Sequence, residues 1–294
     1  MTELYFYLQT HAAAALSFTF IAALLIGSFL NVVIYRLPVM MEREWQTSID
    51  EYQQETNSNA PSTKAIDATF NLAVPASRCG ECNHKIRWYE NIPVISYVIL
   101  RGKCSQCSTS ISLRYPAIEL LTACLSVAAI YAFGFNLAGL AAVLCTFCLV
   151  SLTFIDIDHH LLPDRITLPL LWLGLLFNTQ NTFTSLESAV WGAILGYLSL
   201  WSVYWAFKII TKKEGMGYGD FKLLAALGAW CGAMALPLII LLSSVAGVVI
   251  AVILMATKKH SHGNPLPFGP YLAIAGWVAL LFGQEIIGAY LGSF

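Results

Sequence analysis

Phe154-Ile155-Asp156-Ile157-Asp158-His159-His160-Leu161-Leu162-Pro163-Asp164 closes one long apolar segment, and Gly215-Met216-Gly217-Tyr218-Gly219-Asp220 opens another. Carboxylates at the edge of lipid are expensive and need a reason. Three reasons are available: helix capping, ion or proton transport, and two-carboxylate catalysis. The rest of the chain decides among them.

The 294 residues are 57% hydrophobic and 11% charged, with mean hydropathy +0.67, too apolar for a soluble domain of this length. The composition predicts an all-α polytopic membrane protein. Residues 12–35 form the first apolar run, closed by Arg36-Leu37-Pro38. No basic residue precedes this run, and it is long enough to span about 30 Å of hydrocarbon, so it reads as a retained helix rather than a cleaved signal. Seven further segments follow at about 116–135, 137–155, 165–178, 186–210, 220–233, 235–257 and 270–292. That makes about eight transmembrane helices, those at 165–178 and 220–233 being short for full crossings. Alternate connections then share a side. All 16 Lys and Arg lie in or beside 36–115, 156–165, 208–222 and 258–269, which the positive-inside rule places in the cytoplasm, with both termini outside. Both acidic clusters fall on that cytoplasmic face.

Three regions are expected: 1–38 with the first helix, a cytoplasmic insertion over 39–115, and a membrane domain over 116–294. The insertion begins with a polar stretch, Glu42 to Asn71, which reads as a mobile loop or a short surface helix. It then presents Cys79-Gly80-Glu81-Cys82 and Cys104-Ser105-Gln106-Cys107. Two CxxC knuckles at this separation are a specific zinc signature, each giving two thiolates to a tetrahedral site. Disulfides are the alternative, disfavoured by a reducing cytoplasm. Four soft ligands leave no open position, so a zinc held by Cys79, Cys82, Cys104 and Cys107 is expected to be structural. His84 reads as a bystander, and Cys124, Cys145, Cys148 and Cys231 as small buried hydrophobes. Glu119 is explained by capping or by pairing with Arg114, and is kept as a secondary substrate-site candidate.

Asp164 follows Leu162-Pro163 and precedes an apolar run, the grammar of an N-cap. Asp220 also precedes a helix. Asp156 and Asp158 instead close one, where the macrodipole disfavours an anion. A carboxylate misplaced in this way suggests function, and Asp156 lies deeper than Asp158. The glycines before Asp220 do not make a dinucleotide-binding loop. They allow close backbone approach, so an extended peptide could lie beside the Asp220 carboxylate, with Gly217 and Gly219 as its contacts.

Taken together, these motifs resemble the type IV prepilin peptidases, bifunctional leader peptidases and N-methyltransferases of pilus and type II secretion systems. The resemblance runs through Gly27-Ser28-Phe29-Leu30-Asn31-Val32-Val33 to Arg36-Leu37-Pro38, the four cysteines, Ile155-Asp156 with Leu162-Pro163-Asp164, Gly217-Tyr218-Gly219-Asp220-Phe221-Lys222-Leu223, and Pro265-Leu266-Pro267-Phe268-Gly269-Pro270. It implies a catalytic pair at Asp156 and Asp220. The implied substrates are prepilins and pseudopilins in the bacterial inner membrane, cleaved after a glycine and then methylated from S-adenosylmethionine. No nucleic-acid partner is expected. A proton- or metal-coupled transporter would place its carboxylates nearer the helix midplane. A non-catalytic zinc-bearing scaffold would leave the glycine-aspartate motif unexplained.

Overall fold

The computed structural model describes residues 2–56, 70–213, 215–257 and 266–291. Among them every regular element is a helix, with two isolated β-bridges and no strand. The helices are α1 (Thr2–Thr10), α2 (Ala12–Thr56), α3 (Ile95–Ile99), α4 (Arg114–Phe133), α5 (Leu137–His159), α6 (Asp164–Asn178), α7 (Leu186–Thr211), α8 (Tyr218–Cys231), α9 (Leu236–Ala256) and α10 (Gly269–Leu291). Six spans are long and apolar enough to cross a membrane: Ala12–Gln53, Arg114–Phe133, Leu137–His159, Leu186–Thr211, Ala233–Ala256 and Gly269–Ala289. The expected all-α membrane fold is therefore present. The two segments expected to be short, α6 and α8, have 15 and 14 residues. At 1.5 Å per residue each is about 22 Å long, less than a bilayer core.

The chain divides into two compact units, Ile21–Ala123 and Met1–Phe20 with Cys124–Phe294. In the second unit, α8 is the centre. Every residue from Leu223 to Trp230 is buried, so the helix is apolar on all sides and meets protein all round. Its neighbours come close because small residues face each other. Gly192 on α7 and Gly228 on α8 touch backbone to backbone, and a Cβ on either would run into the other's carbonyl oxygen. Close approach of this kind replaces the hydrophobic drive that lipid cannot supply between helices. Asn178, fully buried at the end of α6, donates to the carbonyls of Ala229 (2.8 Å) and Trp230 (3.2 Å) and accepts from the amides of Phe183 and Thr184. One side chain thereby satisfies four backbone groups and ties the end of α6 to the end of α8.

In the other unit, α2 departs from the expected stop at Pro38 and runs on to Thr56. Proline removes one helical hydrogen bond, but Met40-Met41-Glu42-Arg43-Glu44 are good helix formers that carry the helix past it. The extension is anchored. Arg36, buried, donates to the carbonyls of Asn71 (2.9 Å) and Pro75 (2.6 Å), and the Arg43 guanidinium lies 4.2 Å from the centre of the Phe70 ring. The first part of the polar stretch is thus a long helix; residues 57–69 lie outside the described residues.

The α7–α8 contact gives a direct test. Gly228→Leu should lower the thermal midpoint of the purified protein by an amount corresponding to about 3 kcal/mol, because no rotamer can relieve a backbone clash. Gly288→Leu, where a Cβ meets nothing within 4 Å, should leave it unchanged.

Candidate active site and metal centre

The two cysteine knuckles converge. The sulfurs of Cys79, Cys82, Cys104 and Cys107 all lie within 4.8 Å of one another, with 3.7 Å between Cys79 and Cys107 and 3.9 Å between Cys82 and Cys104. All four are free thiols. A tetrahedral zinc with bonds of about 2.3 Å requires sulfurs about 3.8 Å apart, so the donors fit that metal. Each knuckle is a tight turn closed by its own backbone: Cys79 N–H donates to His84 O and Asn83 N–H to Cys79 O, and Cys104 N–H to Thr109 O and Ser108 N–H to Cys104 O. Hydrogen bonding by the Thr109 side chain and then its backbone lowers the Cys107 thiol to about 6, in favour of the ligating thiolate. Glu90 joins the knuckles. It accepts from the Arg87 amide (2.8 Å) and the Ser105 hydroxyl (2.6 Å), which hold its carboxyl below the usual range, and its other partner is His84 at 3.3 Å. His84 is outside the ligand cluster, engaged with Glu90.

Glu119, the secondary candidate, is buried on α4. Its carboxylate accepts the Val94 amide at 2.8 Å, and Val94 precedes α3 with φ +59°. A β-branched residue seldom adopts that conformation, and the charge-assisted bond holds it there. The expected pairing with Arg114 gives way to this backbone clamp. Gly27 packs beneath it, where a Cβ would meet the Glu119 Cα at 2.9 Å.

In the membrane unit, Asp156 and Asp220 are both buried, and Leu162 packs against the segment that carries each. Asp156 stands in the last turn of α5, whose C-cap His160 takes the left-handed conformation at φ +53°. Its placement against the α5 dipole is offset from outside: Asp156 Oδ2 accepts the Gly269 amide at 2.9 Å, at the first residue of α10. The anion thus sits at the positive end of a second helix. Asp220 lies in the first turn of α8, after Gly217, and its own amide reaches Gly217 O at 3.3 Å. Leu162 fills the space between the two segments. A Cβ on Gly219 would come 2.7 Å from Leu162 Cβ, and one on Gly269 would come 2.7 Å from Asp156 Oδ2 and 3.1 Å from Leu162 Cδ2.

The other acidic residues are placed elsewhere. Asp158 is exposed. Asp164 is the first residue of α6, but Pro163 holds the N-cap position and no side chain caps it. The expected capping role is corrected: both Asp164 oxygens lie 2.7 Å from Lys222 Nζ, because α6 and α8 start side by side and the pair bridges them. Gly269, Leu162 and Lys222 are the site residues that motif reasoning left without a role. Gly269 could have been picked out as the one residue between Phe268 and Pro270 able to begin a helix against a side chain.

These features define a multi-pass, all-helical membrane protein with a buried aspartate pair and a four-cysteine centre suited to zinc. Residues 21–133 match the bacterial peptidase A24 N-terminal domain, and residues 142–252 the type IV leader peptidase family. A prepilin leader peptidase/N-methyltransferase from Stutzerimonas stutzeri is 54% identical over 97% of this chain and 96% of its own. Relatives of the same name from Aeromonas hydrophila (56%, over 95% and 94%) and Pseudomonas aeruginosa (52%, over 97% and 96%) are similar throughout. The chain belongs to the type IV leader peptidase family. No solved structure matches it.

Two measurements follow from the geometry. Metal analysis should find about one zinc per chain, lost in Cys104→Ser or Cys107→Ser and retained in His84→Gln; disulfides in the native protein would contradict this. Gly269→Ala should displace the Asp156 carboxylate and is expected to lower prepilin cleavage about 100-fold, with little change in expression or membrane insertion.

Proposed function

We propose that this protein cleaves the leader of type IV prepilins and pseudopilins after a glycine, using Asp156 and Asp220, and then methylates the new N-terminal amine with S-adenosylmethionine as donor. The observation that carries the reading is the burial of two carboxylates at helix ends, Asp156 held on the Gly269 amide and Asp220 at the start of α8, with Leu162 packed against both segments. Their place at segment ends also favours a peptidase over a transporter. The relatives' shared name supports both activities.

Two carboxylates in one buried site cannot both hold full charge, so they share a proton. The ionised member takes a proton from water as its oxygen attacks the scissile carbonyl carbon. The protonated member gives its proton to the carbonyl oxygen. Collapse of the tetrahedral species breaks the C–N bond, the leaving nitrogen takes up the proton gained from water, and one hydroxyl proton of the new carboxyl group returns to the carboxylate that had donated to the carbonyl oxygen. A peptide bond inside a helix is shielded from such attack, so the substrate must be unwound. Gly217 supplies a side-chain-free backbone beside Asp220 against which an extended strand would lie, and Gly219, packed on Leu162, keeps the start of α8 close to it. Glu119 is the secondary substrate contact, acting through the segment its carboxylate holds at Val94. The zinc of Cys79, Cys82, Cys104 and Cys107 is structural, shaping the insertion that methyl transfer needs.

The distribution of Lys and Arg supports a topology with the carboxylate end of the bundle on the cytoplasmic face of the bacterial inner membrane and both termini outside. A prepilin whose short basic leader stays in the cytoplasm meets the pair there.

The test is cleavage of a purified prepilin in detergent or liposomes. Asp156→Asn and Asp220→Asn should each abolish it while methylation of a pre-cleaved pilin persists, since methyl transfer to an amine needs no carboxylate pair. The double replacement should cost little beyond either single one. Cleavage surviving in Asp156→Asn, or lost in Asp158→Asn with the fold intact, would move the catalytic role to Asp158.

A further inference from the structure

The insertion carries an apolar surface that neither the zinc centre nor the aspartate pair explains. On α3, Ile95, Val98 and Ile99 are 57%, 66% and 73% exposed, at the i, i+3, i+4 spacing that puts them on one face. Trp88 and Leu113, on the segments either side, are 82% and 71% exposed. These segments form one body: Tyr97 OH donates to Ile111 O at 3.2 Å, and Ile111 N–H to Gly102 O at 2.7 Å. A surface of this composition on a water-facing domain would be an aggregation hazard unless something covers it. Exposed basic residues surround it at Arg87, Arg101, Lys103 and Arg114.

The structure also fixes the depth of this surface. Val94, which starts α3, donates to Glu119 on α4, five residues beyond the helix start at Arg114. Five residues are about 7 Å of helix. Asn31 of α2 donates to Tyr115 O of α4 at 3.2 Å, so the two spanning helices of this unit are joined at the same level, in the first turn of α4. A segment held there lies at the level of the headgroups, where apolar side chains enter the acyl boundary by about 5–10 Å and Lys and Arg meet anionic lipid.

We propose that the face formed by Trp88, Ile95, Val98, Ile99 and Leu113 is a lipid-docking surface, inserted into the anionic headgroup layer of the bilayer that α2 and α4 cross. Charge decides the occupant: a basic rim around an apolar patch suits anionic lipid, whereas a self-association surface would set the same four cations against their own copies. Docking of this kind pins the zinc-bearing insertion to the membrane plane, where a substrate whose own helix lies in the bilayer must present its polar end.

The experiment uses the full-length protein in liposomes of phosphatidylcholine with phosphatidylglycerol. p-Benzoylphenylalanine replaces Val98 or Ile99 in separate variants and, as a control, Gln46 on the exposed extension of α2. Photolysis and mass spectrometry should show lipid acyl-chain adducts at 98 and 99 about tenfold above those at 46, because only the former reach the acyl boundary. The yield should fall in phosphatidylcholine alone, and in the Arg101→Gln/Lys103→Gln background. A retained thermal midpoint shows that the variants are folded. Adducts at 98 and 99 mainly to peptides of this chain, or lipid labelling no higher than at 46, would overturn the assignment. Equal yields with and without anionic lipid would overturn the role given to the basic rim.

Discussion

The hydrogen bond from the Gly269 amide to Asp156 is the constraint on which the aspartate end of the membrane unit depends. It places a carboxylate at the C-terminal end of α5 and the N-terminal end of α10 at once. The first position opposes the anion and the second favours it. Neither helix alone would hold Asp156 where it stands, and the bond requires that residue 269 have no Cβ. Leu162 then transmits the placement to α8 through Gly219. Two glycines and one leucine therefore set the relation between the aspartates, while Lys222 and Asp164 fasten the starts of α6 and α8. That ion pair is partly exposed, with side chains 30% and 52% accessible, so its worth lies in orientation more than in stability.

The other unit solves a different problem, that of holding a small polar domain with little core. Its order comes from polar bonds aimed at backbone: Arg36 on the carbonyls near Asn71 and Pro75, Glu119 on Val94, and Glu90 across the knuckles. A body organised in this way gains much from a metal, because four thiolates brought within 4.8 Å are poorly placed without one.

Much of this was legible in the sequence. Hydropathy and the distribution of Lys and Arg gave the helical class and the short sixth segment, and CxxC spacing gave the metal centre. The deep aspartate of the pair stood out because it broke a local rule, and the structure shows it buried with its carboxylate bonded to the Gly269 amide. Three things stayed hidden. Pro38 reads as a stop in local grammar, but the helix formers from Met40 to Glu44, with Arg36 and Arg43 anchored to the segment around Phe70–Pro75, carry the helix past it. Asp164 reads as a cap because its partner, Lys222, is 58 residues away and periodicity carries no such information. Asp156 looked uncompensated for the same reason: the helix end that compensates it begins 113 residues later.

The short length of α8 is the last piece, and it follows from where the glycine motif must lie. Within a membrane, irregular backbone is tolerated only where protein or a polar cavity surrounds it, because lipid satisfies no amide. The segment Gly215–Gly217 is irregular, and it leads into a helix buried on every side. Burial removes the need for α8 to span about 30 Å, so its 14 residues suffice. Had α8 faced lipid, the turn before Asp220 would have had to be helical, and its amides and carbonyls would have been spent on the helix itself. Enclosure by α6, α7 and α10 lets that backbone stay irregular beside a carboxylate, the arrangement on which the proposed binding of an extended peptide rests.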